Sequence, residues 1–75
     1  MEKTVEYSEL DSIRIPVDVP ELGVETGARG VIAYIWDDGR MLDVEVPKND
    51  GTSAGFVDLR VKEDGTLEYL GCSPL

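Results

Sequence analysis

Three Asp-Gly pairs, Asp38-Gly39, Asp50-Gly51 and Asp64-Gly65, punctuate the second half of this chain and cut it into short segments. Asp-Gly favours tight hairpin turns, because glycine adopts positive φ freely and aspartate tolerates it. Between these pairs the apolar residues recur at every second place, and no window carries a helical period of useful length. A chain so divided has one economical solution, an antiparallel sheet folded back on itself at each Asp-Gly corner.

The stretch GVETGARGVIAYIWDDGRMLDVEV (23–46) organises the rest. It reads as a glycine-punctuated loop, an apolar strand, an Asp-Gly turn at 37–40 and a second strand. VIAYIW (31–36) is apolar on both faces and predicts a central strand. In MLDVEV (41–46), Leu42, Val44 and Val46 point inward while Asp43 and Glu45 point to water. Upstream, DSIRIPVDVP alternates without a break and sets Ile13, Ile15, Val17 and Val19 on one face. Pro16 has no N–H to donate, so that segment is an edge strand or the end of one. Downstream, Val57, Leu59 and Val61 oppose Asp58, Arg60 and Lys62. Residues 66–70 make a last strand, 71–75 a tail, and 1–11 an N-terminal arm carrying Val5, Tyr7 and Leu10.

Five or six short antiparallel strands in 75 residues predict one all-β domain, a small SH3-like, partly open barrel, since curling removes sheet edges that a short chain cannot cover. The core is small, about ten large apolar side chains at roughly 1.5–3 kcal/mol each. Chain entropy cancels most of that gain. A partner or a second copy is therefore expected to supply part of the stability.

The run 17–46 resembles a bacterial family of domains of unknown function, number 4926. Its members read as a strand ending in D-[IL]-P-E-x-G-L, a G-x-x-G turn, a valine-rich strand, a D-G hairpin and an alternating strand. Asp18, Pro20, Glu21, Gly23, Gly27, Gly30 and Gly39 stand at the matching places. The likeness extends to residue 59 if NDGTSAGFVDL is aligned to the family's second D-G turn, and the 62–70 hairpin departs from the pattern. The family is similar to SH3-like and KOW-type small barrels. The resemblance implies that fold and carries no activity and no catalytic residues.

Charge narrows the function. Seven basic against sixteen acidic residues give a net charge of −9, and the basic ones are scattered singly. Nucleic-acid affinity rests on clustered lysine and arginine, so neither nucleic acid nor an anionic membrane is an expected partner. A basic protein is, because opposite fields speed encounter. There is no histidine, which removes Ser-His and Cys-His nucleophile schemes. The adjacent Asp37 and Asp38 are the residues a hairpin turn selects for its own geometry. Asp43 and Glu45 could form half of a hard-cation site with Asp37 or Asp38, but no D-x-[DN]-x-[DN]-G loop accompanies them. GVETGARG lacks GxGxxG spacing, a GK[ST] and a following helix, so it is not read as a phosphate loop. No catalytic residue, metal or cofactor is assigned. Cys72 stands alone, so no internal disulfide forms, and its neighbours offer no cation to activate it. The acidic N-terminus has no signal-peptide core, and no run is long enough to span a bilayer. The expected location is the cytoplasm.

The aromatic strand is the informative feature. Whether Val31, Ala33 and Ile35 or Ile32, Tyr34 and Trp36 face inward, the other set leaves more apolar surface than a solvated face carries. Three coverings are open: the N-terminal arm, a second copy making a homodimer, or another protein. Interface hot spots favour Trp, Tyr and Arg. Tyr34, Trp36, Asp37, Asp38 and Arg40 are the candidate protein-binding residues. The expectation is a non-enzymatic, protein-binding module of regulatory or antitoxin/immunity type; the alternative is a dimerising accessory domain that stabilises a larger enzyme.

Overall fold

The computed structural model describes residues 6–75. Five strands form one antiparallel sheet in sequence order: β1 (Ser12–Arg14), β2 (Arg29–Trp36), β3 (Met41–Pro47), β4 (Ser53–Val61) and β5 (Leu67–Pro74). The all-β expectation holds with five strands. The sheet is not closed into a barrel, since β1 and β5 remain its two edges. Among the described residues no helix is long and apolar enough to cross a membrane.

The three Asp-Gly turns fall where expected but are not alike. At the β2–β3 corner Asp37, Asp38 and Gly39 all have positive φ, and the Arg40 N–H donates to the Asp37 carbonyl at 3.0 Å. Positive φ at both central residues is the hallmark of a type I′ turn. At the other two corners only the glycine, Gly51 or Gly65, is left-handed. These corners share the pattern K-x-D-G-T. In each the glycine N–H donates to the lysine carbonyl, and the threonine carbonyl accepts from the lysine N–H. Asp50 and Asp64 accept from the following threonine hydroxyl at 2.6 Å and its backbone N–H at 3.0 Å. Those bonds pull both carboxyls below the usual aspartate range, the hydroxyl contributing most.

One face of the sheet is the core. Ile32, Val44, Val57 and Cys72 form one cross-strand row, and Ile35, Leu42, Leu59 and Tyr69 form the next. A five-stranded sheet needs something laid over that face, and residues 15–28 supply it. The expected long strand through Val19 is therefore corrected. Pairing with β2 stops at Arg14, two residues before Pro16, and the chain bends across the sheet. Ile15 keeps two backbone bonds to Gly27 and Ala28, and Val19 pairs with Val24 around a single 3-10 turn, Pro20–Leu22. Ile15 and Val19 are wholly buried as a result, while Ile13 and Val17 are only half-buried. β1 is nonetheless an edge strand that ends beside the proline, as its sequence predicts.

Besides an irregularity at Ala54, where β4 begins opposite Val46 and Pro47, two β-bulges reset the period of two. One lies in β2 at Ala33, between the pairs Ile32↔Val44 and Tyr34↔Asp43. Neither expected phase of VIAYIW survives it: Gly30, Ile32 and Ile35 face the core, and Val31, Tyr34 and Trp36 face away. β2 is second in the sheet rather than fully central, because β1 covers only its first half. The other bulge is at Leu70 in β5, between Leu59↔Tyr69 and Asp58↔Gly71. It carries the strand on to Pro74, so residues 71–75 are not a tail. Cys72 lands opposite Val57 on the core side.

The described part of the arm, residues 6–11, bends inward. Leu10 takes a left-handed backbone (φ 75°) in a turn closed by the Asp11 N–H to the Ser8 carbonyl at 3.1 Å. Tyr7 packs against the core and its hydroxyl donates to the Gly65 carbonyl at 3.2 Å. Tyr7 and Leu10 thus do not cover the outer face; Val5 lies outside the described residues.

Two substitutions test this framework by chemical denaturation. A Cβ on Gly30 would lie 2.5 Å from Val44 Cγ1 and 3.0 Å from Ile15 Cδ1, both on buried side chains. Gly30→Ala is expected to destabilise the fold by about 1–3 kcal/mol. Leu10 is 81% exposed, so its side chain contributes little burial to set against its backbone strain. Leu10→Gly removes a left-handed penalty of about 1–2 kcal/mol and incurs about 0.5–1 kcal/mol of chain entropy, for a small net gain. A clear loss of stability in that variant would refute the strained turn.

Candidate functional site

The face of the sheet turned away from the core is built by the same register. Its first row runs Ser12, Val31, Glu45, Phe56 and Ser73; its second, Tyr34, Asp43, Asp58 and Gly71; its third, Trp36, Met41, Arg60 and Glu68. Arg14 and Arg29 extend the face beyond the first row, so five apolar side chains share it with four carboxylates and three arginines. Tyr34 and Trp36 are 57% and 46% exposed. They stand two residues apart on β2, where alternation sends both to the same side.

Asp43 and Asp58 face each other across β3 and β4. Like charges directly opposite are unfavourable, the more so where the sheet partly shields them from water. Partial burial is the main reason the Asp43 carboxyl rises above its ordinary value; the hydrogen bond to Asp58 and that residue's charge add to it. Beside them Arg60 is committed to Glu68, with Nη2 to Oε1 at 2.7 Å and Nε to the same oxygen at 2.9 Å. The arginine therefore does not neutralise the aspartate pair, and the middle of the face is acidic.

Of the five residues singled out from sequence, Tyr34 and Trp36 lie on this face. Asp37 and Asp38 lie in the adjoining turn, where their positive φ values show a structural duty. Arg40 is exposed at the same end, its carbonyl accepting from the Val61 N–H at 2.8 Å. It lines a shallow cleft of about 550 Å³ with Arg60, Lys62, Glu63 and Asp64, to which neither aromatic contributes. The suggested cation site is not assembled: Asp43 is opposite Asp58, not beside Asp37 or Asp38, and no group of three metal-ligating side chains gathers among the described residues. The GVETGARG loop lines a separate concavity, about 790 Å³ and widely open, with Val46, Lys48 and Ala54.

Sequence reasoning missed Met41, Phe56 and Asp58 as parts of the site. A signal existed. Asp58 was already on the outer side of its strand, and a K-x-D-G-T turn at 48–52 fixes the β3–β4 register that sets it against Asp43.

The pair has a measurable consequence. Asp43 has a folded-state pKa above the unfolded value of 3.8, so it takes up a proton on acidification before the unfolded chain does. Its penalty is present at neutral pH and disappears as pH falls through the folded pKa towards 3.8. Asp43→Asn is expected to raise stability at pH 7 by roughly 0.2–1 kcal/mol. That advantage should shrink as pH approaches 4, the unperturbed aspartate value, in melts across a pH series. Asp18, Asp50 and Asp64 act in the opposite sense, their lowered values giving stability that is lost below pH 3.8.

In comparison with known proteins the chain matches no family model, no curated protein and no solved structure, so the likeness to family 4926 rests on its quoted residues alone.

Proposed function

We propose that this chain is a non-enzymatic protein-binding module, regulatory or antitoxin/immunity-like in kind, whose partner docks on the outer face of the sheet. One observation carries the reading: Tyr34 and Trp36 are half exposed on a strand face that also presents Val31, Met41 and Phe56 around an acidic centre. Aromatic anchors bordered by polar groups are the composition of an interface core.

Charge selects the partner's chemistry. Asp43, Glu45, Asp58 and Glu68 gather at the middle and β5 side of this face, where Arg60 is the one arginine, Arg14 and Arg29 lie at its β1 end, and the whole chain carries −9. Two such faces repel one another, whereas a segment offering lysine or arginine with apolar side chains finds both carboxylates and aromatic rings. Arginine over Trp36 or Tyr34 adds a cation–π contact. A single cysteine, which forms no internal disulfide, suits action in the cytoplasm.

Trp36 is the chain's only tryptophan, so its fluorescence reports on this face alone. Titration with arginine- and lysine-rich peptides carrying aromatic residues is expected to shift its emission to the blue. The affinity should fall with added salt. Trp36→Ala is expected to cost about 2 kcal/mol of binding, roughly thirtyfold in Kd, with the fold unchanged. Amide shifts mapping to another surface, or an affinity indifferent to both Trp36→Ala and salt, would overturn the reading.

A further inference from the structure

The second exposed feature is the free edge of β5. The bond pattern at both of its ends fixes which peptide groups point outward. Lys62 N–H donates to the Thr66 carbonyl at 2.8 Å, and Leu75 N–H to the Ala54 carbonyl at 3.4 Å. Antiparallel alternation then turns the backbone groups of Leu67, Tyr69 and Cys72, with the Pro74 carbonyl, away from β4. None of them bonds to another backbone segment among the described residues. An unpaired edge of this length is a template for another strand.

Its charge is also unlike that of the rest of the molecule. β5 (LEYLGCSP) has a single charged residue, Glu68, which Arg60 already pairs with, and a further carboxylate near it is Glu21, on the 3-10 turn that packs against β5. Leu70, at the bulge, is 46% exposed. In a chain of net charge −9, this is the strand along which two copies can approach with least repulsion.

We infer that β5 pairs antiparallel with β5 of a second copy of this chain about a two-fold axis. The outward positions are self-complementary when the axis passes between Leu70 and Gly71: Tyr69 then faces Cys72 of the second copy, and Leu67 faces its Pro74. Every outward N–H meets a carbonyl, and the proline, which has no N–H, leaves only the facing Leu67 carbonyl without a donor, at the outer end of the contact. The bulge, elsewhere a device against edge pairing, falls at the centre of the contact. Leu70 there meets a glycine, and Glu68 meets Ser73 instead of another carboxylate. The isologous geometry joins two sheets side by side with their acidic, aromatic faces on the same surface.

Analytical ultracentrifugation up to about 1 mM protein tests this. The expected result is a dimer in which the Tyr69 and Cys72 amides exchange slowly with solvent. Leu70→Lys with Gly71→Lys sets like charges against each other across the axis and should give a folded monomer with those amides exposed; added side chains at Gly71 meet open space. Leu70→Asp with Gly71→Lys sets opposite charges together and should retain the dimer. A wild-type monomer throughout, a dimer indifferent to the double lysine variant, or one abolished by Trp36→Ala would overturn the inference.

Discussion

Burial of Ile15, Val19 and Val24 against the inner face of the sheet is the interaction on which the structure depends. The four longer strands bring Ile32, Leu42, Val44, Val46, Val57 and Leu59 to one side, and a lone sheet leaves them wet. A chain this short has no second layer, so one irregular segment serves as the lid. At roughly 1.5–3 kcal/mol for each large apolar side chain taken from water, the lid contributes on the scale of a small domain's entire net stability. Gly30 is part of the same contact: only a residue without Cβ lets Val44 and Ile15 close over that point.

Once the inner face is covered, what the outer face presents follows from the bulges. Without Ala33 as an extra residue, the alternation that buries Gly30 and Ile32 would carry Tyr34 and Trp36 into the core. The added residue turns Ile35 inward in their place and sends both aromatics to solvent. The bulge at Leu70 keeps Tyr69 and Cys72 together on the inner side. There they are close enough for a hydrogen bond that, ahead of burial and neighbouring charge, pushes the Tyr69 phenol up to about 12. Single-residue insertions thus decide which chemistry each face carries, at a cost confined to one ladder position.

The two proposed surfaces are compatible because they are separate in charge. The outer face gathers carboxylates and aromatics, which suits a basic partner and resists a copy of itself. The β5 edge carries one carboxylate, Glu68, already paired with Arg60, and otherwise offers peptide groups and small, aromatic or apolar side chains. Side-by-side pairing would leave both outer faces open and double the docking surface, so a partner with two basic segments would gain by avidity.

The sequence by itself determined the all-β class, the three corners and the inward residues of β3 and β4. These are local properties: Asp-Gly chemistry sets a turn, and Leu42, Val44, Val46, Val57 and Leu59 keep their phase because no bulge interrupts them. The aromatic pair that anchors the candidate site, Tyr34 and Trp36, was legible too, though not the bulge that sends both to solvent. Only the tertiary structure decided that β1 stops at Arg14, that Ala33 and Leu70 shift the phase, that residues 71–74 join the sheet, and that Asp43 meets Asp58. The physical reason is that a period of two says which residues alternate, not where the count slips. A bulge is chosen by non-local packing, here the fit of Ile35 and Cys72 into a core whose other wall lies elsewhere in the chain.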